Sequence, residues 1–385
     1  MLQLHVVQAL YGDCLLLEYG DCAQPHFLLV DGGPPTTYIE HLRPVLLDIA
    51  GQGGRLDHVV LTHADDDHVI GLVDLFAELR SEQLQEQPPL IGVGEVWLNS
   101  FAFDAAVAPS MVNILIPRLP PAPAALEGAP ASSAPAPLAA VEDADQLVPL
   151  YGVAEGMDLR ELLVRLQLPV NPEFPDHLVT LDAAPPQLMF DDLAVTVVGP
   201  AKSNIARLHR EWQEWLAKHR APEGAQAIPD YEQKVSPDQS IPNRSSIMFV
   251  AESGGKRVLF TGDGRGSDVV RGLVRRGLMT KDGVYHVDVL KVPHHGSARN
   301  ASRKFFSQIT ADVYVLSANG KDGNPDMPTL AWLAQTLKEQ GRTARIAATN
   351  LTPTLEQMLQ EFPPAAYGYE LQVLEPGKHA LTVEI

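Results

Sequence analysis

The chain is poor in cysteine, in positive charge and in long apolar runs. Only two cysteines, Cys14 and Cys22, occur in 385 residues. A disulfide-stabilised secreted scaffold needs more, so both are expected to be ordinary buried thiols of a reducing compartment. Lysine and arginine number 29 against 48 aspartates and glutamates, a formal charge of −19. That balance argues against a broad basic face for nucleic acid and leaves room for a local one. No run reaches the about 18 apolar residues of a membrane span. The start, "MLQLHVVQAL", lacks the basic region and long apolar core of a signal peptide. These absences lead us to expect a cytoplasmic protein with no membrane partner. What is present is a globular composition, 45% hydrophobic and 20% charged, in a chain long enough for a sizeable core.

Strands and helices alternate in the first hundred residues. "LQLHVVQAL" and "CLLLEYG" flank the turn Tyr11-Gly12-Asp13, and "HFLLVDGG" ends in a carboxylate and two glycines. A helical stretch, "TYIEHLRPVLLDIAGQ", leads to the apolar run "LDHVVLTH", then to the helical spacing of "VIGLVDLFAELR" and the strand "GVGEVWLNS". Such units point to an α/β architecture with functional loops at strand ends. From about residue 104 to 185 the pattern loosens into an insertion with an Ala/Pro-rich run and a helix at "DLRELLVRLQLP". The strand "LAVTVVGP" follows, then a helical insertion over about residues 203–238, with Ser203 or Asn204 placed to cap it. "SSIMFVAESGG" and "KRVLFTGDG" read as strands joined by a Gly-Gly hairpin, and "YELQVLEPGKHALTVEI" as a closing hairpin.

The stretch "LTHADDDHVIGL" sets two histidines and three aspartates within six positions. His63, Asp65, Asp67 and His68 form an H-x-D-x-D-H pattern at a strand-to-helix junction. Imidazole nitrogens and carboxylate oxygens are the ligands of borderline and hard divalent metals. Alternate side chains of a tight turn can converge on one ion while the adjacent Asp67 and His68 address a second. A calcium loop is a poor match, because its glycine and later glutamate are out of place.

The turn resembles the signature of the metallo-β-lactamase fold, whose usual form has a histidine where this chain has Asp65. Followed by "VLFTGD" and "VLKVPHHGS", it resembles in particular the hydrolase domain of the ComEC competence proteins and their soluble relatives. "YGDCLLLEYG", "LLVDGG", "VTVVGP" and "NRSSIMFV" match in the same order. The resemblance implies a single domain over residues 1–385, a four-layer αββα sandwich carrying the two insertions, with a two-metal cleft. By the same resemblance His63 and Asp65 hold one metal, Asp67 and His68 the other, and Asp263 bridges them. One of His294 and His295 completes the second site, with His295 preferred. Asp31 is a supporting carboxylate that fixes a metal-binding loop.

Two departures stand out. Where many relatives carry a further histidine before the strand leading to the bridging aspartate, this chain has "PNRSS", so Asn243, Ser245 or Ser246 stands there. A late Gly-His-Pro is replaced by Gly323-Asn324-Pro325. An amide oxygen is a weaker ligand than imidazole, so a looser first site is expected. The hard, anionic Asp65 raises the prospect of manganese as well as zinc. The expected cofactor is thus two divalent ions, zinc or manganese. They activate water, with Asp67 handling its proton and His294 contacting the developing charge.

A phosphodiester is the preferred substrate, with nucleic acid among the candidates. Arg207, Arg210, Lys218 and Arg220, with Trp212 and Trp215, could line a basic strip on the inserted helix. Lys291, Arg299, Arg303 and Lys304 lie near the histidine pair. An ester, lactone or amide hydrolase, or a non-catalytic metal-bound module meeting a protein partner through its insertions, are the alternatives.

Overall fold

The computed structural model describes residues 1–99, 155–156, 158–174, 177–218, 238 and 240–385, without the side chains of 211–218. Fourteen strands among the described residues build two sheets. The first runs β14(Ala380–Glu384), β1(Leu2–Val7), β2(Leu15–Asp21), β3(Gln24–Val30), β4(Leu56–Val60) and β5(Val93–Trp97). The second runs β13(Tyr369–Val373), β12(Ala344–Ala348), β11(Ile309–Leu316), β10(Tyr285–Lys291), β9(Lys256–Phe260), β8(Met248–Ser253), β7(Leu193–Gly199) and β6(Leu188–Phe190). The helices are α1(Arg43–Gly51), α2(Asp66–Leu84), α3 over residues 158–165, α4(Lys202–Lys218), α5(Ile241–Arg244), α6(Gly266–Arg275), α7(Arg303–Gln308), α8(Met327–Gln340), α9(Pro353–Glu361) and α10(Pro364–Tyr367).

The two-residue period of the strands assigns the layers. Leu15 and Leu17 of β2 face the other sheet, while Leu16 turns outward onto α1 and α2. In β9, Val258 and Phe260 point between the sheets, and Leu259 points out toward α6 and α8. Because successive side chains leave opposite faces of a strand, runs apolar on both faces are buried on both. One core therefore lies between the sheets and one under each helical layer. This is the four-layer αββα sandwich.

The Gly-Gly turn forms as expected: Gly254 and Gly255 both have positive φ, 58° and 77°, and join β8 to β9 antiparallel. That left-handed pair is the backbone a two-residue hairpin demands.

Two expectations are overturned. The C-terminal strands do not pair with each other: β13 lies parallel to β12, and β14 antiparallel to β1. Each sheet offers an open edge at this side, and each edge satisfies its backbone groups with one strand. Cys22 is exposed on the β2–β3 turn, whereas Cys14 is buried, and both are free.

The stretch 158–185 packs onto the sandwich: Val170 bridges Val96, and Phe174 and Val179 enter the core between the sheets. Residues 100–154, with the Ala/Pro-rich run, and 219–237 fall outside the described residues. Among the described residues no helix is long and apolar enough to cross a membrane.

Candidate metal centre

The chemistry gathers where strands of both sheets end. Asp31 follows β3, Thr62 and His63 follow β4, Asp263 follows β9, and the histidine pair follows β10. Residues 66–84 begin α2 immediately after the acidic turn, so Asp67 and His68 sit in its first turn. His294 and His295 both adopt left-handed backbone, φ 47° and 51°. Two consecutive side-chain-bearing residues in that region carry strain, and such strain concentrates at functional sites.

Asp263 is the hub. Its Oδ1 lies 3.4 Å from His68 Nε2; its Oδ2 lies 3.4 Å from His294 Nε2, 3.6 Å from His295 Nε2 and 3.9 Å from His63 Nε2. Four imidazoles thus turn the same nitrogen toward one buried carboxylate.

Their other nitrogens are held by fixed acceptors. His68 Nδ1 donates to Asp31 Oδ2 at 2.8 Å, and His295 Nδ1 to the Ser317 carbonyl at 3.0 Å. Thr62 gives its hydroxyl proton to Asp31 Oδ2, so its oxygen accepts from His63 Nδ1 at 3.0 Å. Asn300 donates through Nδ2 to the Asp263 carbonyl and to Asp238 Oδ2. Its Oδ1 is therefore the acceptor facing His294 Nδ1 at 2.9 Å. A proton committed at Nδ1 leaves a bare lone pair on Nε2, the arrangement that prepares a histidine to bind metal.

Asp67 Oδ2 is 3.1 Å from His295 Nε2 and 3.6 Å from His68 Nε2, and Asp65 Oδ2 is 3.5 Å from His63 Nε2. Ligand atoms of Asp67, His68, Asp263 and His295 lie within 4.8 Å of one another, close enough to share one ion. His63 Nε2, His68 Nε2 and Asp263 Oδ1 are buried with no hydrogen-bond partner among the described residues. Buried polar atoms left unsatisfied are costly, and a cation between them removes the cost. The donor set fits divalent metal.

The electrostatics follow from the same crowding. Burial alone would raise Asp263, but His294, His295 and His68 hold its carboxyl well below the usual range. Asp67 is likewise held low against burial by His68 and His295. Burial would lower His68, yet Asp263, Asp67 and Asp31 lift it well above the ordinary imidazole value. Metal binding must displace that proton.

Residues 9–80 match the family described as the metallo-beta-lactamase superfamily. The fold is the metallo-β-lactamase sandwich. The matched segment carries Asp13, Asp31 and the acidic turn and stops short of Asp263 and the histidine pair, which the metallo-β-lactamase sandwich brings to the same end. Comparison with curated proteins returned no match. Among solved structures, the chain is similar to Zn(2+)-bound PqqB from Methylobacterium extorquens, with 12% identity, all of both chains covered and a TM-score of 0.37. It is similar to CmlA, a diiron β-hydroxylase from Streptomyces venezuelae, with 11% identity, covering 100% of this chain and 54% of that one, at a TM-score of 0.37. A protein from Enterococcus faecalis V583 follows at 11% identity, 98% and 78% coverage and a TM-score of 0.28.

The sandwich places the remaining candidates around this hub. Asp31 is buried and receives the Thr62 amide at 2.7 Å. Asn243 Nδ2 donates to Asp238 Oδ2 at 2.9 Å and sits 3.3 Å from His294 Nδ1, while its Oδ1 has no partner. Ser246 donates to the Asn243 carbonyl and accepts from the Asp263 amide at 3.3 Å. Ser245 bonds back to the Ile241 carbonyl. Asn324 precedes Pro325, which packs against Gly296 beside the histidine pair.

Lys291 is not available to substrate: it is fully buried and paired with Asp13 at 2.6 Å. Its place at the end of central strand β10 puts it inside the sandwich, where only a carboxylate makes its charge tolerable. Arg303 is tied to Glu339, and Arg299 and Lys304 are exposed. Asn204 bonds the Arg244 carbonyl at 2.8 Å rather than capping α4. Arg207 is half-buried and Arg210 exposed; the side chains of Trp212, Trp215 and Lys218, and all of Arg220, lie outside the described residues.

Sequence reasoning passed over Asp238, Asn300 and Thr62, and noted Asp13 only as a turn residue. Asp13 Oδ1 lies 3.3 Å from His295 Nδ1. A single polar residue 62 positions from its partner, as Asp238 is from Asn300, leaves no pattern to read.

Proposed function

We propose that this protein is a metal-dependent hydrolase that uses a dinuclear centre to cleave a phosphodiester. The observation that carries the reading is the convergence of four Nε2 atoms on Asp263, with Asp65 and Asp67 beside the same imidazoles. His63, Asp65 and Asp263 are the residues to hold the first ion, and Asp67, His68, Asp263 and His295 the second. Zinc and manganese both suit this mixed imidazole and carboxylate set. When bound, a divalent pair lowers the pKa of a coordinated water and offsets charge building on the substrate.

The protein's own groups divide the rest of the work. Asp67 stays ionised and its side chain is 23% exposed, so it can accept a proton at the rim. His294 is 25% exposed, against 2% for His63, 0% for His68 and 4% for His295. It is the imidazole of the four that reaches substrate, and it is placed to contact developing negative charge. Asn243 and Asp238 orient it from behind. The resemblance of the motifs to ComEC-type hydrolase domains supports a phosphodiester over an ester, lactone or amide.

The test is hydrolysis of bis-p-nitrophenyl phosphate, nitrocefin and a lactone by protein loaded with manganese or zinc. Turnover of the phosphodiester, lost in Asp67→Ala, is the expected result. Turnover of nitrocefin or lactone alone moves the substrate class. No turnover of any, with function retained in Asp67→Ala, identifies a module that meets a protein partner instead.

A further inference from the structure

Three arginines from separate elements near the centre feel one another's charge. Arg265 follows the bridging Asp263 by two residues and occupies the N-cap of α6, without capping it. Arg244 ends α5, directly after Asn243, whose amide touches His294 and Asp238. Arg207 comes from α4, which is tied to α5 by the Asn204 bond to the Arg244 carbonyl. Each is half-buried.

Some of their donors find no acceptor among the described residues. Arg265 Nε and Nη2 and Arg244 Nε are buried and have no hydrogen-bond partner. The nearby carboxylates make no hydrogen bond to these guanidinium groups among the described residues: Asp238 accepts from Ser240, Asn243 and Asn300, and Asp268 Oδ1 accepts from Arg271 at 2.7 Å, leaving Asp268 Oδ2 buried without a partner. Burial, with Arg244 and Arg207 close by, holds the Arg265 guanidinium below its ordinary value; Asp268 and Asp238 only partly offset this. Like charges near one another repel, and buried N–H donors without acceptors cost free energy. One anion cures both. Guanidinium presents a planar fork that matches phosphate oxygens in pairs, which an ammonium does not. In a chain of charge −19, a cationic cluster near the centre is a local exception with a local use.

We propose that Arg265, Arg244 and Arg207 form an anion subsite beside the metal centre that receives a second phosphate of the substrate, next to the one cleaved. This rests on the phosphodiesterase reading for its place in catalysis, though not for the binding itself. The second phosphate has two sources, the continuing backbone of a single-stranded nucleic acid and the other phosphate of a small dinucleotide.

The binding test uses metal-free protein, treated with EDTA and titrated calorimetrically with inorganic pyrophosphate. Saturable binding is expected, weakened about tenfold or more in Arg265→Gln and in Arg244→Gln and partly kept in Arg265→Lys. Wild-type protein that does not bind, or glutamine variants that bind as tightly as wild type while keeping its melting temperature, overturns the subsite. The catalytic test uses manganese-loaded enzyme and compares a dinucleotide bearing a 5′-phosphate with the same dinucleotide lacking it. Wild type is expected to favour the phosphorylated substrate in kcat/KM, and Arg265→Gln to lose most of that ratio. Equal losses on both substrates overturn the assignment. Pyrophosphate binding without hydrolysis of any phosphodiester removes the phosphodiesterase reading and leaves the subsite standing. Competition by a single-stranded oligonucleotide identifies the polymer as source, and competition by a cyclic dinucleotide alone identifies the small molecule.

Discussion

Asp31 Oδ2 accepts a 2.8 Å hydrogen bond from His68 Nδ1, and both side chains are buried. The same carboxylate takes the Thr62 hydroxyl, which in turn fixes His63. One acid therefore sets the tautomers of two ligand histidines in different parts of the acidic turn. Asp31→Asn keeps the shape but replaces an acceptor oxygen or supplies a donor where none is wanted. Metal affinity is expected to fall about 10–100-fold, measured by competition with a chromophoric chelator. An unchanged affinity would remove Asp31 from this role.

Asp263 faces all four imidazoles, whereas His63 borders it from one side. Asp263→Ala is expected to lose both ions, and His63→Ala to lose one, in folded protein. Metal content by mass spectrometry, with circular dichroism as the folding control, decides it; full stoichiometry in Asp263→Ala contradicts the bridging position.

The buried pair Lys291 and Asp13 supports His295 from behind. Burial would raise Asp13, but Lys291 and His295 bring its carboxyl down to about 2. Lys291→Met leaves that carboxylate uncompensated and is expected to cost about 3–5 kcal/mol of folding stability. Urea denaturation measures it, and a loss below about 1 kcal/mol, the worth of a surface ion pair, contradicts a buried one.

Gly71 of α2 lies against the loop after β3: a Cβ there would stand 1.9 Å from the Gly32 carbonyl oxygen. No side chain can yield at that contact, so Gly71→Ala must shift α2 and the acidic turn at its start. A loss of about 1–3 kcal/mol or more is expected, together with weaker metal binding. Wild-type behaviour in both measurements would show that the helix has slack the packing does not suggest.

Glu173 shares Trp97 Nε1 with Glu95. Burial, then hydrogen bonding and repulsion from Glu95, raise its carboxyl to about 7. The folded state thus keeps a proton that the unfolded chain releases near the ordinary value of 4.5. The stabilisation is whole below that value and is lost as pH rises through about 7. Wild type is expected to lose melting temperature between pH 5 and pH 8 relative to Glu173→Gln. Parallel profiles would contradict it.

The acidic turn, the Gly-Gly hairpin and the two-residue strand period were legible in the sequence because each is a local pattern. An α/β architecture was legible in the alternation of strands and helices, and the four-layer αββα sandwich came only with the family resemblance that the motifs carry. His63, Asp65, Asp67 and His68 could be nominated because histidine and aspartate in such tight spacing have few other uses, whereas Asp263 and His295 were nominated only through the family resemblance. The tail misled because "EPGK" reads as a hairpin turn while its two strands belong to different sheet edges.

By itself, then, the sequence offered the acidic turn as a candidate metal-binding pattern and indicated most of the strands and helices, since both are read from neighbours within a few positions. Only the tertiary structure decided that Lys291 is a buried counter-ion rather than a phosphate contact, that Asp238 and Asn300 stand behind His294, and that Arg265 lies within the electrostatic reach of Arg244 and Arg207. Those relationships join residues tens to hundreds of positions apart, and Coulomb and hydrogen-bond energies depend on distance in space, which no local pattern encodes.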